Sequence, residues 1–188
     1  MKKSIGASML ITLGVIVNLL SPYSLAGAIF FSFGLLTICF FNFNLFTGKC
    51  GYYIQDKISL MSLTNILFVN LISGFIFGKI AAIALPNLVT IAQDKVENWY
   101  MISGFEYFLL AAMCGIVMFI AVELNKRGTL FGIFLGVPLF IICGFQHCIA
   151  NVILLGIANN LTNSALYYLI IAIVGNFIGA NFISYLLK

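Results

Sequence analysis

Long apolar runs alternate with short polar segments along the whole chain. A transmembrane helix needs about 20 apolar residues, because a hydrocarbon core of about 30 Å is crossed at 1.5 Å per residue. The pattern therefore predicts an all-α membrane protein with six transmembrane helices, in a single domain that covers residues 1–188. The six runs lie at roughly 4–20, 26–47, 63–85, 104–124, 129–157 and 164–187.

The first run also has features of a secretory signal: a basic start, and small residues at Ser24 and Ala26 where cleavage could occur. Its apolar stretch is at the long end of the signal range, and it opens a chain that is built of such runs. We therefore interpret it as a retained first membrane helix.

Composition supports a protein that is embedded in the lipid bilayer. Of the 188 residues, 63% are hydrophobic and 7% are charged, whereas a soluble domain has about 25% charged residues. The formal net charge is +4, but the basic residues occur singly or in pairs between apolar runs. This distribution excludes a nucleic-acid surface, which needs a basic stripe or patch.

The distribution of basic residues also predicts an orientation. Six crossings place both termini on one side of the membrane, and the positive-inside rule makes the side richer in Lys and Arg cytoplasmic. The opposite side has only Lys95, while Lys79 lies within the third run. We therefore expect a multi-pass protein of the cell membrane with both termini in the cytoplasm. The basic residues of the terminal side are Lys2, Lys3, Lys49, Lys57, Lys126, Arg127 and Lys188.

The second and fifth runs are longer than the others and are similar to each other. "GLLTICFFNFNLFTG" (34–48) aligns with "GVPLFIICGFQHCIA" (136–150) at an offset of 102, which pairs Asn44 with Gln146 and Leu45 with His147. "NLISGFIFG" (70–78) and "GNFIGANFI" (175–183) match more weakly, and their glycines indicate close helix packing. Three spans repeated once must insert in opposite orientations. The pattern predicts an inverted repeat with halves of approximately 1–100 and 101–188, and interrupted helices at matching places are the strongest sequence indication of a transport site.

Two short motifs resemble a known family. "GFQHCIAN" (144–151) and "NLFTG" (44–48) resemble the fifth-helix and second-helix signatures of the formate/nitrite transporters, and "AGAIFFSFGLL" and "GNFIGANF" are also similar to that family. The resemblance implies an aquaporin-like fold, a homopentamer with one pore in each protomer, and passage of small monovalent anions such as formate, nitrite or hydrosulfide. It implies a channel and not an enzyme, with no cofactor.

The resemblance also implies roles for individual residues. His147 is the central histidine, Thr47 faces it, Asn151 lies nearby, and Lys95 is the vestibule lysine. Of the two apolar constrictions, the cytoplasmic one would contain Phe31 and Phe46 and the other Leu35 and Phe140, while Cys114 or Gly115 would replace an asparagine of the fourth helix. The residues of the interrupted loops are Asn44, Gln146 and Gly144, and two of them differ from the family, whose acidic residues are replaced here by amides at 44 and 146.

A histidine between two apolar gates suits the chemistry of weak-acid anions. A bare anion in a dry constriction is very costly, but one proton makes formate, nitrite or hydrosulfide neutral, and histidine is the side chain that titrates near neutral pH. The sequence does not choose among these anions, nor between passive and proton-coupled transport.

Two other functions compete with this hypothesis. An aquaporin-like pore for a small neutral solute would share the architecture, although the interrupted helices have no Asn-Pro-Ala pair. A metal carrier or membrane enzyme could use Cys143, His147 and Cys148, but the five cysteines form no CxxC pair and are best interpreted as small buried hydrophobes. We therefore predict no metal site.

Overall fold

The computed structural model describes residues 1–188 and contains helices and loops but no strand. Two short 3₁₀ helices span Cys50–Tyr52 and Asn98–Met101. The α-helices are α1 (Lys2–Leu20), α2 (Ser24–Phe40), α3 (Phe46–Lys49), α4 (Leu60–Ala84), α5 (Leu88–Glu97), α6 (Gly104–Lys126), α7 (Phe131–Ile142), α8 (Cys148–Ala158) and α9 (Asn163–Leu186).

Four of these helices are long and apolar enough to cross a membrane: α1, α4, α6 and α9. They coincide with the first, third, fourth and sixth apolar runs. The second run contains α2, a loop and α3, and the fifth contains α7, a loop and α8, so both are interrupted. The segment between the third and fourth runs contains α5, which the hydrophobic pattern did not predict because the helix is short and buries only three residues: Leu88, Ala92 and Val96.

Glycines allow two helix pairs to approach at backbone distance. Gly179 of α9 lies directly against the backbone of Ala112 in α6. Gly78 of α4 faces α8, where a Cβ added to Gly78 would lie 3.1 Å from the Cα of Gly156. Small residues of this kind let helices pack closely in a membrane, where burial of apolar surface adds little.

The two interrupted helices break in the same way. α2 ends before Asn42, which has a φ of 52°, and α7 ends before Gly144, which has a φ of 68°. In both loops the following phenylalanine donates its backbone N–H to a carbonyl five residues earlier, Phe43 to Ile38 and Phe145 to Phe140, both at 2.9 Å. The left-handed residue turns the chain, and the backbone bond closes the end of the first half-helix.

Two buried asparagines hold these loops to the neighbouring helices. Asn70 of α4 donates its amide to the carbonyls of Ser4 (2.8 Å) and Asn44 (3.1 Å), and its Oδ1 accepts from the N–H of Phe46 at 2.9 Å. Each interaction pairs a backbone group that the interrupted helix cannot satisfy by itself. One side chain therefore joins α1, the loop and the start of α3.

Asn176 of α9 makes the equivalent three hydrogen bonds in the second half of the chain. Its amide donates to the carbonyls of Ala111 (2.8 Å) and Gln146 (2.7 Å), and its Oδ1 accepts from the N–H of Cys148 at 2.9 Å. By these contacts Asn70 in the third run corresponds to Asn176 in the sixth.

Both chain ends lie on the same face of the molecule. The carbonyl of Lys3 accepts from the N–H of Asn44 at 3.2 Å, and the Nζ of Lys188 donates to the carbonyl of Ile54 at 3.4 Å. We call this the terminal face, and the face that contains Lys95 the opposite face.

Replacing Asn176 with leucine should destabilise the protein strongly. The change leaves the Cys148 N–H and the carbonyls of Ala111 and Gln146 buried without partners, at about 1–3 kcal/mol each. We expect the thermal unfolding midpoint in detergent to fall by at least roughly 5 °C. Asn176→Asp, which keeps the acceptor, should cost less, and Asn163→Leu on the exposed start of α9 is the control. An Asn176→Leu protein as stable as that control would contradict this role.

Candidate functional site

His147 lies where the second interrupted helix resumes. It is the N-cap of α8, and its Nδ1 accepts the backbone N–H of Ala150 at 3.1 Å. Its ring is stacked on Phe140, with ring centroids 5.7 Å apart and an interplanar angle of 27°. Only 1% of its surface is exposed, so the cap and the stacked phenyl ring fix its position in the centre of the protein.

Thr47 faces His147 from the other half of the chain. It lies in the first turn of α3, is fully buried, and its Oγ1 is 2.8 Å from the Nε2 of His147. Because Nδ1 accepts the N–H of Ala150, the proton of the neutral ring is on Nε2, and Nε2–H donates to Thr47. The hydroxyl proton of Thr47 then remains free for a further acceptor.

A cavity on the opposite face reaches down to His147. We call it the Trp99 cavity, and its volume is about 240 Å³. Lys95 is at its exposed end and is the only charged residue that lines it. Phe31 and Phe140 lie at its base, where their rings meet edge to face with centroids 5.7 Å apart. The cavity thus passes from a positive entrance to an aromatic contact beside the histidine.

A second cavity opens near the terminal face. We call it the Leu35 cavity, and its volume is about 190 Å³. Leu35, Leu45 and Val122 supply its apolar lining beside Gly48, which is the neighbour of Thr47. Lys49 and Lys126 also line this cavity. The His147–Thr47 contact therefore lies between two cavities that are each bounded by apolar side chains.

The pairing of the apolar residues differs from the one expected from the sequence. Phe31 and Leu35 are one helical turn apart on α2 and line different cavities, so the division between the cavities falls between them. Phe31 pairs with Phe140 on the Lys95 side, whereas Leu35 lies on the terminal side. Phe46, expected at a constriction, lines neither cavity; its neighbour Leu45 does, because Leu45 precedes α3 as its N-cap.

Asn151 and Gln146 form a neutral network next to the histidine. The amide of Asn151 donates to the hydroxyl of Tyr107 at 2.7 Å and to the Oε1 of Gln146 at 3.0 Å. Gln146 in turn donates to the carbonyl of Gly144 at 2.9 Å. The side-chain amide of Gln146 thus makes one hydrogen bond as acceptor and one as donor. A carboxylate at this position could make only the accepting contact.

Several residues of the site were not identified from the sequence. Tyr107 and Trp99 pack edge to face with ring centroids 6.0 Å apart, and Tyr107 is fully buried. Val122 supplies the apolar contribution of α6 to the Leu35 cavity, while Cys114 lines neither cavity. Asn70 and Asn176 were detectable, since each is an asparagine within a long apolar run.

The cysteines near His147 do not form a metal-binding arrangement. Cys143 is exposed and Cys148 is buried, and the thiol of a third cysteine, Cys50, contacts the carbonyl of Thr47 at 3.5 Å. The structure contains no group of three His, Cys, Asp or Glu side chains that could hold a metal ion.

Comparison with known proteins agrees with this geometry. No curated protein matches the chain. Among solved structures, a "Pentameric formate channel with formate bound" is 21% identical, with a TM-score of 0.79 over 98% of this chain and 93% of that one. An "FNT family ion channel" is 19% identical, with a TM-score of 0.77 over 98% of this chain and 86% of that one. The family model described as "Formate/nitrite transporter" matches residues 2–188, and the chain therefore belongs to the formate/nitrite transporter family.

Proposed function

We propose that this protein is a membrane channel for small monovalent anions of weak acids, with formate, nitrite and hydrosulfide as the candidates. The observation that supports the proposal best is the buried contact of 2.8 Å between His147 and Thr47, which lies between two cavities with apolar boundaries. The description of a similar structure as a formate channel agrees with it.

The proposed architecture has six membrane crossings in an aquaporin-like inverted repeat. α2 with α3 forms one crossing and α7 with α8 another, in addition to the four long helices. The matching hydrogen bonds of Asn70 and Asn176 support two equivalent halves, 1–100 and 101–188. The terminal face, which contains most of the basic residues, is the cytoplasmic one, and the location is the cell membrane.

The proposed assembly is a homopentamer with one pore in each protomer. A similar solved structure is described as pentameric. The outer faces of α2, α4 and α9 expose large apolar side chains, including Phe30, Ile72 and Ile170. In a pentamer, such faces would contact either lipid or the neighbouring protomer.

Attraction of the anion comes from the two half-helices and from Lys95. α3 and α8 both begin beside the His147–Thr47 contact, so both positive dipole ends are directed at it. The backbone N–H groups of Thr47 and Ile149 donate to no acceptor within the protein. Lys95 raises the local anion concentration at the entrance of the Trp99 cavity.

Passage past the apolar residues requires that the anion becomes neutral or shares a proton. In this proposal the Nε2–H of His147 donates a hydrogen bond to Oγ1 of Thr47. The hydroxyl proton of Thr47 is therefore free to form a hydrogen bond with the anion. The anion takes a proton from a hydronium ion in the cavity, which leaves water, and crosses the Phe31–Phe140 contact as the weak acid. Because Nδ1 already accepts the N–H of Ala150, His147 is the residue that orients Thr47 and mediates this proton-linked passage.

Removing the hydroxyl of Thr47 should slow formate transport with little change in shape. A hydrogen bond to a charged group contributes about 1.5–3 kcal/mol, which corresponds to roughly a tenfold to hundredfold loss of rate. We expect this loss for Thr47→Val in proteoliposomes loaded with a pH-sensitive dye, and near wild-type rates for Thr47→Ser. His147→Phe should lower the flux by a similar factor at every pH, because Thr47 is then no longer oriented. The rise of up to about tenfold per pH unit as pH falls comes from protonation of the anion and should remain.

The same assay distinguishes the anion channel from the competing functions. Formate, nitrite, hydrosulfide, chloride and a neutral solute are compared between pH 5 and pH 8. Rapid passage of the neutral solute without any anion flux would replace the proposal with an aquaporin-like pore. Formate flux that is unchanged at every pH in both Thr47→Val and His147→Phe would refute the role of the contact.

Lys95→Gln should lower formate flux most at low ionic strength. The lysine is exposed, so salt screens its effect, with a Debye length of about 30 Å at 0.01 M and about 8 Å at 0.15 M. We expect a several-fold loss at the lower salt concentration and almost none at the higher one. The matched control is Lys79→Gln, because Lys79 does not line the Trp99 cavity. Equal losses at both salt concentrations would show that Lys95 does not act by steering.

A further inference from the structure

A third cavity lies beside the Leu35 cavity on the terminal face. Its volume is about 170 Å³, and its lining includes Lys49, Lys57, Lys126, Tyr52 and Asn44, together with two isoleucines. We call it the lysine pocket. None of the residues that line it is acidic, so three positive charges share one small volume without a counter-charge in the lining.

The lysines of this pocket form no salt bridge, and two of them are held by an aromatic ring. The only salt bridge of the protein joins Arg127 and Glu123 at 3.3 Å. The ring of Tyr52 holds the Nζ of Lys126 at 3.6 Å and that of Lys57 at 5.7 Å from its centroid. The hydroxyl of Tyr52 donates to Glu123 at 2.8 Å, which fixes the ring. A single aromatic side chain thus brings two ammonium groups together.

The pocket also contains a free polar side chain. The backbone of Asn44 is fully used, since its N–H donates to Lys3 and its carbonyl accepts from Asn70. Its side-chain amide has no hydrogen-bond partner within the protein and lies in the same lining as the lysines. It can donate to an oxygen in the pocket, which a carboxylate at this position could not do.

We propose that the lysine pocket binds a phosphate group. Gathering three like charges is unfavourable, and a group with about two negative charges and three acceptor oxygens relieves it, whereas a monovalent anion such as formate offers one charge. Lysine ammonium groups bind phosphate as point charges, and the amide of Asn44 adds a donor. The group belongs either to a soluble phosphate or to the phosphomonoester headgroup of an anionic lipid. Basic pockets between helices at the cytoplasmic interface bind such headgroups.

Binding in the pocket has a consequence for the pore. Lys49 and Lys126 line the Leu35 cavity as well as the lysine pocket, whereas Lys57 lines only the pocket. A bound phosphate group neutralises charges that would attract the transported anion to the terminal face, and so slows its passage. This second step rests on the proposed function, but the binding step does not.

Binding is tested on the purified full-length protein. Soluble phosphate is tested by titration with inorganic phosphate and pyrophosphate at constant ionic strength, with chloride as the reference salt. The lipid source is tested in nanodiscs of phosphatidylcholine with and without phosphatidic acid, a phosphomonoester lipid, by native mass spectrometry. We expect saturable binding from at least one source, reduced at least tenfold by Lys57→Gln and by Asn44→Asp but unchanged by Lys95→Gln.

Regulation is tested by measuring formate flux in vesicles of neutral lipid. The probe that bound in the first experiment is present on both sides of the membrane. Wild-type flux should fall at least threefold, and Lys57→Gln should keep its basal flux and lose the inhibition. Equal inhibition of both proteins would mean general screening and would overturn the regulatory step. Absence of saturable binding from both sources would overturn the site itself. Binding that depends on Lys57 in a protein without formate flux would leave the site standing and refute the proposed function.

Discussion

The need to pair the backbone groups of two interrupted helices governs this structure. Within a bilayer no water is available to bond a free N–H or carbonyl, so a non-helical loop at membrane depth requires protein partners. Asn70 and Asn176 supply them: each accepts from the first residue of a half-helix and donates to a loop carbonyl and to a neighbouring helix. These two side chains allow the half-helices to begin in the centre of the protein.

The electrostatic character of the centre follows from that arrangement. α3 and α8 start there, and His147 and Thr47, one near the start of each, meet at 2.8 Å across the two halves. The backbone thus supplies a positive field without a permanent charge, which an apolar surrounding would strongly disfavour. His147 also caps α8, so the side chain proposed to orient Thr47 is fixed by the same helix end that is proposed to attract the anion.

The sequence predicted the apolar runs, the two interruptions and the equivalence of residue 44 with 146, because hydropathy and helix-disfavouring residues act locally. It did not predict which apolar side chains share a cavity. Phe31 and Leu35 are one turn apart and equally apolar, and only the packing of α7 against α2 places Phe140 beside Phe31. Similarly, Leu45 and not Phe46 lines the Leu35 cavity, since the start of α3 decides which of these two adjacent buried side chains faces the cavity. Tyr107 was missed because its hydroxyl gains a role only through the tertiary contact with Asn151.

The two amides at 44 and 146, where the resemblance implies acidic residues, have different surroundings on the two faces. At the second loop, Gln146 uses both ends of its amide, accepting from Asn151 and donating to Gly144, so a neutral network surrounds His147 and Lys95 is the only charge in the Trp99 cavity. At the first loop, the amide of Asn44 is unpaired and faces three lysines. A carboxylate at 146 would place a negative charge on the path of an anion, whereas one at 44 would neutralise lysines beside that path. In the proposed channel, an amide in place of a carboxylate therefore avoids a barrier on one face and leaves a concentrated positive charge on the other, so the two proposed entrances differ in their electrostatics.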